Sequence, residues 1–336
     1  MSITEIASRA GVSKSTVSLV INNRPSIPQA TAERVRQAMR DLNYTPAPVG
    51  ARQGRRLKSP KSYRIGLIAD MPVAHLRSPV FVDAVHAVEA AARSNNCTMM
   101  IVNSSTPEDQ RRLYGTVDGL ILMGNMRHRE ALGQLAHLPC VALFGDPSGL
   151  AWCDRLLPDN VAIGALAARR LVACGHTHAA MLTRGSDSFW GIRHAAFRAG
   201  MEQAGGDVLS LDAEASVKIR ADEQYADTEI IGRLMDELLA ANPRPSGLFL
   251  PADLFAPAVY FMLLERGIRL GADIEIVTCN NEQSLLNALR PRPVSVDIHS
   301  REIGRGAVDR LIWRINHPDL PRVVIAVQPD LSLPSP

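Results

Sequence analysis

Short polar side chains near the amino terminus recur at helical spacing and have the chemistry needed to read a nucleic acid. These residues are Lys14, Ser15, Thr16, Ser18 and Asn22, and the apolar residues on the opposite side are Val17, Val20 and Ile21. Hydroxyl and amide groups on short side chains can hydrogen-bond base edges in the major groove, while a lysine near the start of the helix reaches phosphate or guanine. The pattern predicts a recognition helix.

Three short helices are predicted around this stretch, and together they would position it. The first opens at Ser2 and ends before Gly11, which can adopt the positive φ of a tight turn. Ser13 is the expected N-cap of the second helix, over residues 14–22. A third helix over residues 28–43 would brace the second, so the region is typical of a helix-turn-helix unit.

Charge is distributed unevenly along the 336 residues, which carry a net charge of +3. Residues 1–64 hold twelve Lys or Arg against three Asp or Glu, and the remainder holds 25 against 31. Binding to a polyanion by counterion release depends on where the cations lie more than on the total. The basic part coincides with the predicted helices, which favours DNA as the partner.

The sequence of this amino-terminal region resembles the headpiece of the lac repressor (LacI/GalR) family of bacterial transcription regulators. The matching segments are ITEIASRAGVSKSTVS at 3–18, VINN at 20–23 and LNYTP at 42–46. The resemblance implies a helix-turn-helix DNA-binding headpiece at 1–45 that binds double-stranded operator DNA. The headpiece residues expected at the DNA are Thr4, Ser13, Lys14, Ser15, Thr16, Ser18, Leu19, Asn22 and Tyr44.

Leu19 departs from the family pattern, because many relatives place an arginine or histidine there to read a base. A leucine can contact a thymine methyl group, or it can pack inside the protein. Both possibilities are open at this point, and the operator sequences of relatives do not transfer to this chain.

Residues 46–62 are predicted to be a basic hinge or linker, since prolines and glycines alternate there with cations. In the family this region forms a hinge helix on DNA and inserts a leucine into the minor groove. Here that position falls on Gln53 or its neighbour Gly54, and a polar side chain cannot compensate for unstacking as leucine does. We expect a weaker kink, or arginines that follow a narrow groove. The linker residues expected at the DNA are Arg52, Gln53, Arg55 and Arg56.

Beyond residue 63, short apolar runs alternate with helix-like segments, which is typical of parallel sheets covered on both faces. The runs lie at 65–68, 98–102, 119–123, 141–144, 179–182, 247–250, 274–277, 294–296 and 323–327. Two doubly wound lobes fit the chain better than one nine-stranded sheet, because large open sheets are uncommon. The predicted fold class is therefore α/β, with a three-helix headpiece and two parallel-sheet lobes.

The resemblance continues with interruptions, for example in the VDGLIL stretch at 117–122 and the IGRGA stretch at 303–307. It implies that residues 63–336 form an effector-binding and dimerisation domain like a type I periplasmic binding protein. The first lobe is expected at about 63–158 plus about 291–318. The second is expected at about 159–290 plus about 319–332.

A small-molecule effector of such a fold would bind between the lobes, at the carboxyl ends of the strands. The resemblance implies that Arg193 grips ligand hydroxyls or a carboxylate, and that Asp253 accepts hydrogen bonds from a sugar or base. Each has an alternative: Arg193 as a surface residue, and Asp253 as a helix cap. Phe81 and Trp190 are candidates for an apolar wall, with core packing equally open, and Asp146 is a further polar candidate.

Other classes of protein are poorly supported by the sequence. It contains no G-x-x-x-x-G-K-[ST], no G-x-G-x-x-G after the first strand, no H-E-x-x-H and no G-x-S-x-G. His176 and His178 have no third metal ligand nearby, and the five cysteines form no C-x-x-C pair, which favours reduced thiols. We expect no enzyme activity, no metal and no cofactor. Without a signal peptide or spanning segment, a cytoplasmic location and no membrane contact are expected.

The sequence thus predicts a DNA-binding transcriptional regulator, as a repressor whose operator affinity is set by an effector such as a sugar or sugar derivative. The alternative is a solute-binding receptor with the same two lobes and no role at DNA. A homodimer is expected, because two recognition helices held a helical turn apart can read a pseudo-palindrome. The chain ends soon after its last predicted strand, so a dimer is expected rather than a tetramer.

Overall fold

The computed structural model describes residues 3–21, 27–42, 44, 62–70, 78–102, 108, 113, 115–124, 135–144, 152–183, 189–213 and 228–333. The chain divides into two compact units, Met1–Lys61 and Ser62–Pro336. This boundary lies next to the predicted junction between the linker and the lobes. Each unit is described by itself.

The first unit contains the three predicted helices, α1 (Ile3–Ala10), α2 (Lys14–Ile21) and α3 (Gln29–Asp41). Ile6, Val17 and Val35, one from each helix, are fully buried against one another. The tight turn has Gly11 at φ 64°, and the Thr16 N–H donates to Ser13 Oγ at 3.1 Å. The predicted turn and N-cap are therefore confirmed.

In the second unit, strands alternate with helices along the chain. The strands in the described ranges are β1 (Arg64–Asp70), β2 (Thr98–Val102), β3 (Gly119–Gly124), β4 (Cys140–Leu143), β5 (Asp154–Pro158), β6 (His178–Thr183), β7 (Asp207–Asp212), β8 (Gly247–Phe249), β9 (Glu275–Cys279), β10 (Val294–Asp297), β11 (Val324–Val327) and β12 (Asp330–Ser332). The helices are α4 (Pro79–Ser94), α5 (Asn160–Ala173), α6 (Phe189–Gln203), α7 (Thr228–Ala240), α8 (Ala256–Glu265), α9 (Gln283–Leu286) and α10 (Ser300–Asn316), with a 3₁₀ turn at Asp253–Phe255.

Two six-stranded sheets form the two lobes. The first sheet has the order β11-β5-β4-β3-β1-β2, and the second has the order β12-β10-β9-β8-β6-β7. All the pairings are parallel except that of β10 with β12. Helices α4 and α10 cover one face of the first sheet, and α5 and α6 cover a face of the second. The predicted doubly wound architecture is confirmed.

The chain crosses between the lobes three times, after β5, after β10 and after β11. The predicted lobe boundaries near the carboxyl terminus are wrong in two places. Residues 291–318 were expected in the first lobe, yet β10 belongs to the second sheet; residues 319–332 were expected in the second lobe, yet β11 belongs to the first. In both cases the chain crosses after the strand rather than before it.

All nine predicted runs lie in or overlap strands, but three strands have no predicted counterpart. β5, with the sequence DRLLP, carries charges and a proline; β7, with the sequence DVLSLD, is a partly exposed edge strand. β12 is only three residues long. β5 lies between β11 and β4, but its charged residues interrupt the apolar run, whereas β7 and β12 are edge strands with alternating or short sequences.

A fully buried ion pair joins β5 to α10 inside the first lobe. Arg314 donates to the Asp154 carboxylate through Nε at 3.0 Å and Nη2 at 2.8 Å, and both side chains are 0% exposed. Arg310 donates to the same carboxylate at 2.7 Å. Burial raises the pKa of Asp154, but the hydrogen bonds from the two arginines outweigh burial and hold that pKa below its usual value. These three side chains therefore link β5 to α10 and to the segment that follows α10.

Candidate functional site

The outer face of α2 presents the polar residues that the sequence predicts at DNA. Lys14, Ser15, Ser18 and Leu19 are exposed, and Thr16 is half-buried. Ser13 Oγ lies 2.8 Å from Ser15 Oγ and 2.9 Å from Thr16 Oγ1, so the hydroxyls at the start of the helix form a hydrogen-bonded group. Thr4 is exposed on α1. The structure thus brings most of the headpiece candidates to the surface, where they stay predicted DNA contacts.

Two headpiece candidates are distinguished by their burial. Leu19 is 38% exposed and does not belong to the headpiece core, so of the two possibilities the geometry favours contact with a thymine methyl group. Tyr44 is half-buried and packs against that core. Its ring therefore stabilises the packing of the helices, and contact of its hydroxyl with DNA stays a prediction.

Several candidates lie outside the described residues: Asn22, Arg52, Gln53, Arg55, Arg56 and Asp146. Their roles stay predictions from the sequence. The same holds for the hinge helix and for the departure at Gln53.

Asp253 is fully buried at the start of the 3₁₀ turn that follows β8. Its Oδ2 accepts the Glu282 N–H at 2.6 Å, and its Oδ1 accepts the Ser295 hydroxyl at 3.0 Å. Burial raises the pKa of Asp253 to about 7, although hydrogen bonds from Thr278 and the Glu282 N–H act in the opposite direction. The carboxyl group therefore joins the segments that follow β8 and β9 to Ser295 of β10.

Arg193, on α6, is only 3% exposed, so the surface alternative is excluded. Its Nε donates to Asn160 Oδ1 at 2.8 Å and its Nη1 donates to the Pro251 carbonyl at 2.6 Å. Burial lowers its pKa, while the charge of Asp253 acts to raise it. A Cβ at Gly164 of α5 would collide with the Arg193 carbonyl oxygen, so a glycine allows the two helices to approach. Arg193 reaches the Pro251 carbonyl after β8 and Cys279 at the end of β9, so it lies at the strand ends from which Asp253 also follows.

The aromatic candidates have different surroundings. Phe81 of α4 meets Phe144 edge-on, with ring centroids 5.6 Å apart, and both rings pack against core residues of both lobes. Trp190 is 9% exposed and packs edge-on against Phe255 at 5.4 Å within the second lobe. Phe81 thus lies between the lobes, whereas the position of Trp190 favours the core-packing alternative.

Sequence reasoning missed three residues directly after β9: Asn280, Asn281 and Glu282. Asn280 and Asn281 have φ of 108° and 57°, a strained region for residues other than glycine. The Asn281 side-chain amide donates to Asp297 Oδ2 at 2.9 Å. The sequence did contain a signal for these residues, because N-N-E follows a predicted strand. Open α/β folds bind ligands at the carboxyl ends of their strands.

Replacement of Asp253 by asparagine should flatten the pH dependence of stability. Because the folded-state pKa of about 7 lies above that of an exposed aspartate, folding takes up a proton between the two values. The free energy of unfolding of the parent protein should therefore fall by about 2 kcal/mol between pH 5 and pH 7 from this group. Urea unfolding at each pH measures it. Asp273→Asn is the control, because its pKa of about 2 keeps that carboxyl ionised throughout. Parallel curves for the parent and Asp253→Asn would contradict the assignment.

Within the described ranges, no helix has the length and apolarity needed to cross a membrane, and no three His, Cys, Asp or Glu side chains cluster as metal ligands. His176 Nδ1 lies 2.9 Å from Ser246 Oγ, and His178 Nδ1 lies 2.6 Å from Asp207 Oδ1. The two histidines therefore have separate protein partners.

Two family models match the chain. Residues 2–47 match bacterial regulatory proteins of the lacI family, and residues 168–333 match the periplasmic binding protein-like domain. These two segments contain the helix-turn-helix and most of the second lobe.

Curated repressors are similar to the chain over nearly their full length. HTH-type transcriptional repressor PurR of Aliivibrio fischeri is 29% identical over 342 residues, covering 98% of this chain and 96% of that protein. The ribose operon repressor of Escherichia coli is 27% identical over 340 residues, covering 97% of each chain. These relatives are repressors rather than enzymes.

Solved structures share the fold. A transcriptional regulator CelR in complex with cellobiose superposes with a TM-score of 0.66 at 22% identity, covering 99% of this chain and 98% of that one. The lac repressor dimer bound to operator and an anti-inducer superposes with a TM-score of 0.65 at 20% identity, with the same coverage. At these identities the likeness establishes the architecture.

Proposed function

We propose, on the premise that this chain belongs to the lacI family of bacterial regulatory proteins, that it represses transcription and responds to a small molecule bound between its lobes. The exposed polar face of α2 carries the proposal, because it lies on a headpiece that matches this family and carries excess positive charge. Operator DNA is the partner that such a face fits. The proposed location is the bacterial cytoplasm, because operator DNA occurs there.

The proposed effector is a sugar or sugar derivative. Arg193, Asp253 and Asn281 supply guanidinium, carboxyl and amide groups at the carboxyl ends of neighbouring strands, which suits recognition of several hydroxyls. The name of the Escherichia coli relative refers to ribose, and the CelR structure contains cellobiose. Neither name identifies the ligand of this chain, so the proposal stays at the level of the chemical class.

A homodimer is proposed from an apolar surface on α8 and from the need for two recognition helices. Phe261 and Leu264 are 56% and 55% exposed, and their spacing places them on one face of the helix. Among solved structures with this fold is a lac repressor dimer bound to operator. A second copy that covers this face would remove large apolar side chains from water.

Selection of binding sites from random DNA duplexes by the full-length chain tests the proposal. We expect enrichment of a pseudo-palindromic sequence, bound less tightly as salt increases. Lys14→Ala should weaken binding to that sequence about tenfold and reduce the salt slope by about 1 per subunit, because a phosphate contact is lost.

The matched control for this selection is Arg301→Ala, which removes one exposed cation from the second unit. It should leave both the affinity and the salt slope unchanged. Failure to enrich any sequence would overturn the proposal and favour the solute-receptor alternative, which needs no DNA-binding helix.

A further inference from the structure

A carboxylate from the second lobe is bound at the start of a helix in the first lobe. Glu282 Oε1 accepts the Ser78 hydroxyl at 2.6 Å and the Val80 N–H at 2.9 Å. Ser78 is the N-cap residue of α4, whereas Glu282 follows β9. The contact therefore joins the two lobes.

Glu282 supplies the hydrogen-bond acceptor that the N-cap side chain of a helix usually supplies. Ser78 makes no side-chain capping bond within its own helix, and its hydroxyl donates to Glu282 instead. The Val80 N–H is one of the amides that a helix leaves unpaired at its first turn. The positive end of the 16-residue helix α4 also favours a negative charge at this position. The first lobe thus contains an anion site that the second lobe fills.

The Glu282 side chain is deeply buried, and the residue is only 4% exposed. Burial raises the pKa of Glu282, while hydrogen bonds from the Ser78 hydroxyl, the Val80 N–H and the Asn280 side chain lower it. Burying a carboxyl group is unfavourable unless it is hydrogen-bonded, so these bonds offset the cost of its burial.

The same residue is connected to the candidate effector site through its backbone. The Glu282 N–H donates to Asp253 Oδ2, and the preceding residue is the left-handed Asn281. Val80, next to the helix start, is 6% exposed and packs with core residues of the second lobe such as Cys279 and Ile298. A shift of the peptide between Asn281 and Glu282 would therefore move both the bond to Asp253 and the contact with α4.

We propose that Glu282 is a latch between the lobes: its carboxylate caps α4 from the opposite lobe and holds the two lobes together at this point. The part of the proposal that concerns the effector rests on the proposed function. An effector that contacts Asp253 or Asn281 would displace the shared peptide and change the latch, which connects ligand binding to the arrangement of the lobes.

Hydrogen exchange of the full-length protein, without DNA or effector, tests the latch. In Glu282→Ala the peptide that contains Ser78, Val80 and the first turn of α4 should exchange at least about tenfold faster, because the Val80 amide loses its acceptor. Glu282→Gln keeps an oxygen at Oε1 and should exchange at a rate between those of the parent and the alanine variant. Ser284→Ala, at an exposed position two residues away, is the matched control and should behave as the parent.

Sodium formate provides a second readout, with sodium chloride at equal ionic strength as its control. Formate can replace the missing carboxylate, so it should slow exchange at the start of α4 in Glu282→Ala and have no such effect on the parent. If Glu282→Ala does not accumulate as folded protein, Ser78→Ala tests the same contact from the first lobe and should show a smaller local increase. Unchanged exchange at α4, or an increase spread evenly over both lobes, would overturn the proposal. Since this experiment needs no DNA, its failure is distinguishable from failure of the proposed function.

Discussion

Deletion of residues 1–61 should lower the affinity for the selected DNA site by at least about three orders of magnitude, the usual ratio of specific to non-specific binding. The deleted unit contains the exposed face of α2 and eleven of the 37 Lys and Arg residues. What stays behind has 26 Lys or Arg against 31 Asp or Glu, so its net charge opposes approach to a phosphate backbone. Fluorescence anisotropy with a labelled duplex measures the loss.

The shortened protein should stay folded, which makes the loss interpretable. Residues 62–336 form their own compact unit, with hydrophobic cores on both faces of both sheets. Its thermal unfolding and its stabilisation by any sugar that stabilises the full chain should be preserved. Retained DNA affinity after the deletion would locate binding in the lobes and contradict the assignment of the headpiece.

Asp154→Ala should reduce the free energy of unfolding of the second unit by about 3–5 kcal/mol, the range expected when one partner of a buried ion pair is removed. The substitution leaves Arg314, which is 0% exposed, without a counterion and leaves Arg310 without its acceptor. It also removes the acceptor of the Val323 N–H at 3.0 Å, next to β11. Urea unfolding followed by far-ultraviolet circular dichroism measures the change.

The matched control for this substitution is Asp236→Ala, which breaks an exposed Asp–Arg pair. Asp236 Oδ1 lies 2.7 Å from Arg266 Nε, and the Asp236 side chain is 64% exposed. Its urea midpoint should move little, because water replaces the lost contact and screens the charges. Equal midpoints for the two variants would mean that solvent reaches the Asp154 site, and the buried pair would not stabilise the lobe as argued.

Asp253 shows how the sequence can single out a residue without indicating the groups that surround it. Its position after a strand was visible in the sequence, and family resemblance implied contact with a ligand. The structure adds that its two oxygens already accept bonds from Glu282 and Ser295. Those partners lie 29 and 42 residues away along the chain, and no local pattern could indicate them. Whether the carboxyl also contacts the effector stays a prediction.

The sequence by itself determined the headpiece and the alternation of strands and helices. In the headpiece, the apolar spacing, the glycine turn and the Ser13 cap all act over a few residues, so local patterns specify the helices almost completely. The buried strands were equally visible, because a strand covered on both faces is a continuous apolar run.

Only the tertiary structure decided which sheet each late strand joins, and which groups meet between the lobes. The sheet that β10 or β11 joins depends on the neighbouring strand that its connection can reach, and neither four-residue sequence indicates which sheet that is. The contact of Glu282 with Ser78 joins residues 204 positions apart. Such contacts form only when whole elements pack together. The interactions that stabilise them join residues far apart in sequence, so no short segment of the chain indicates them.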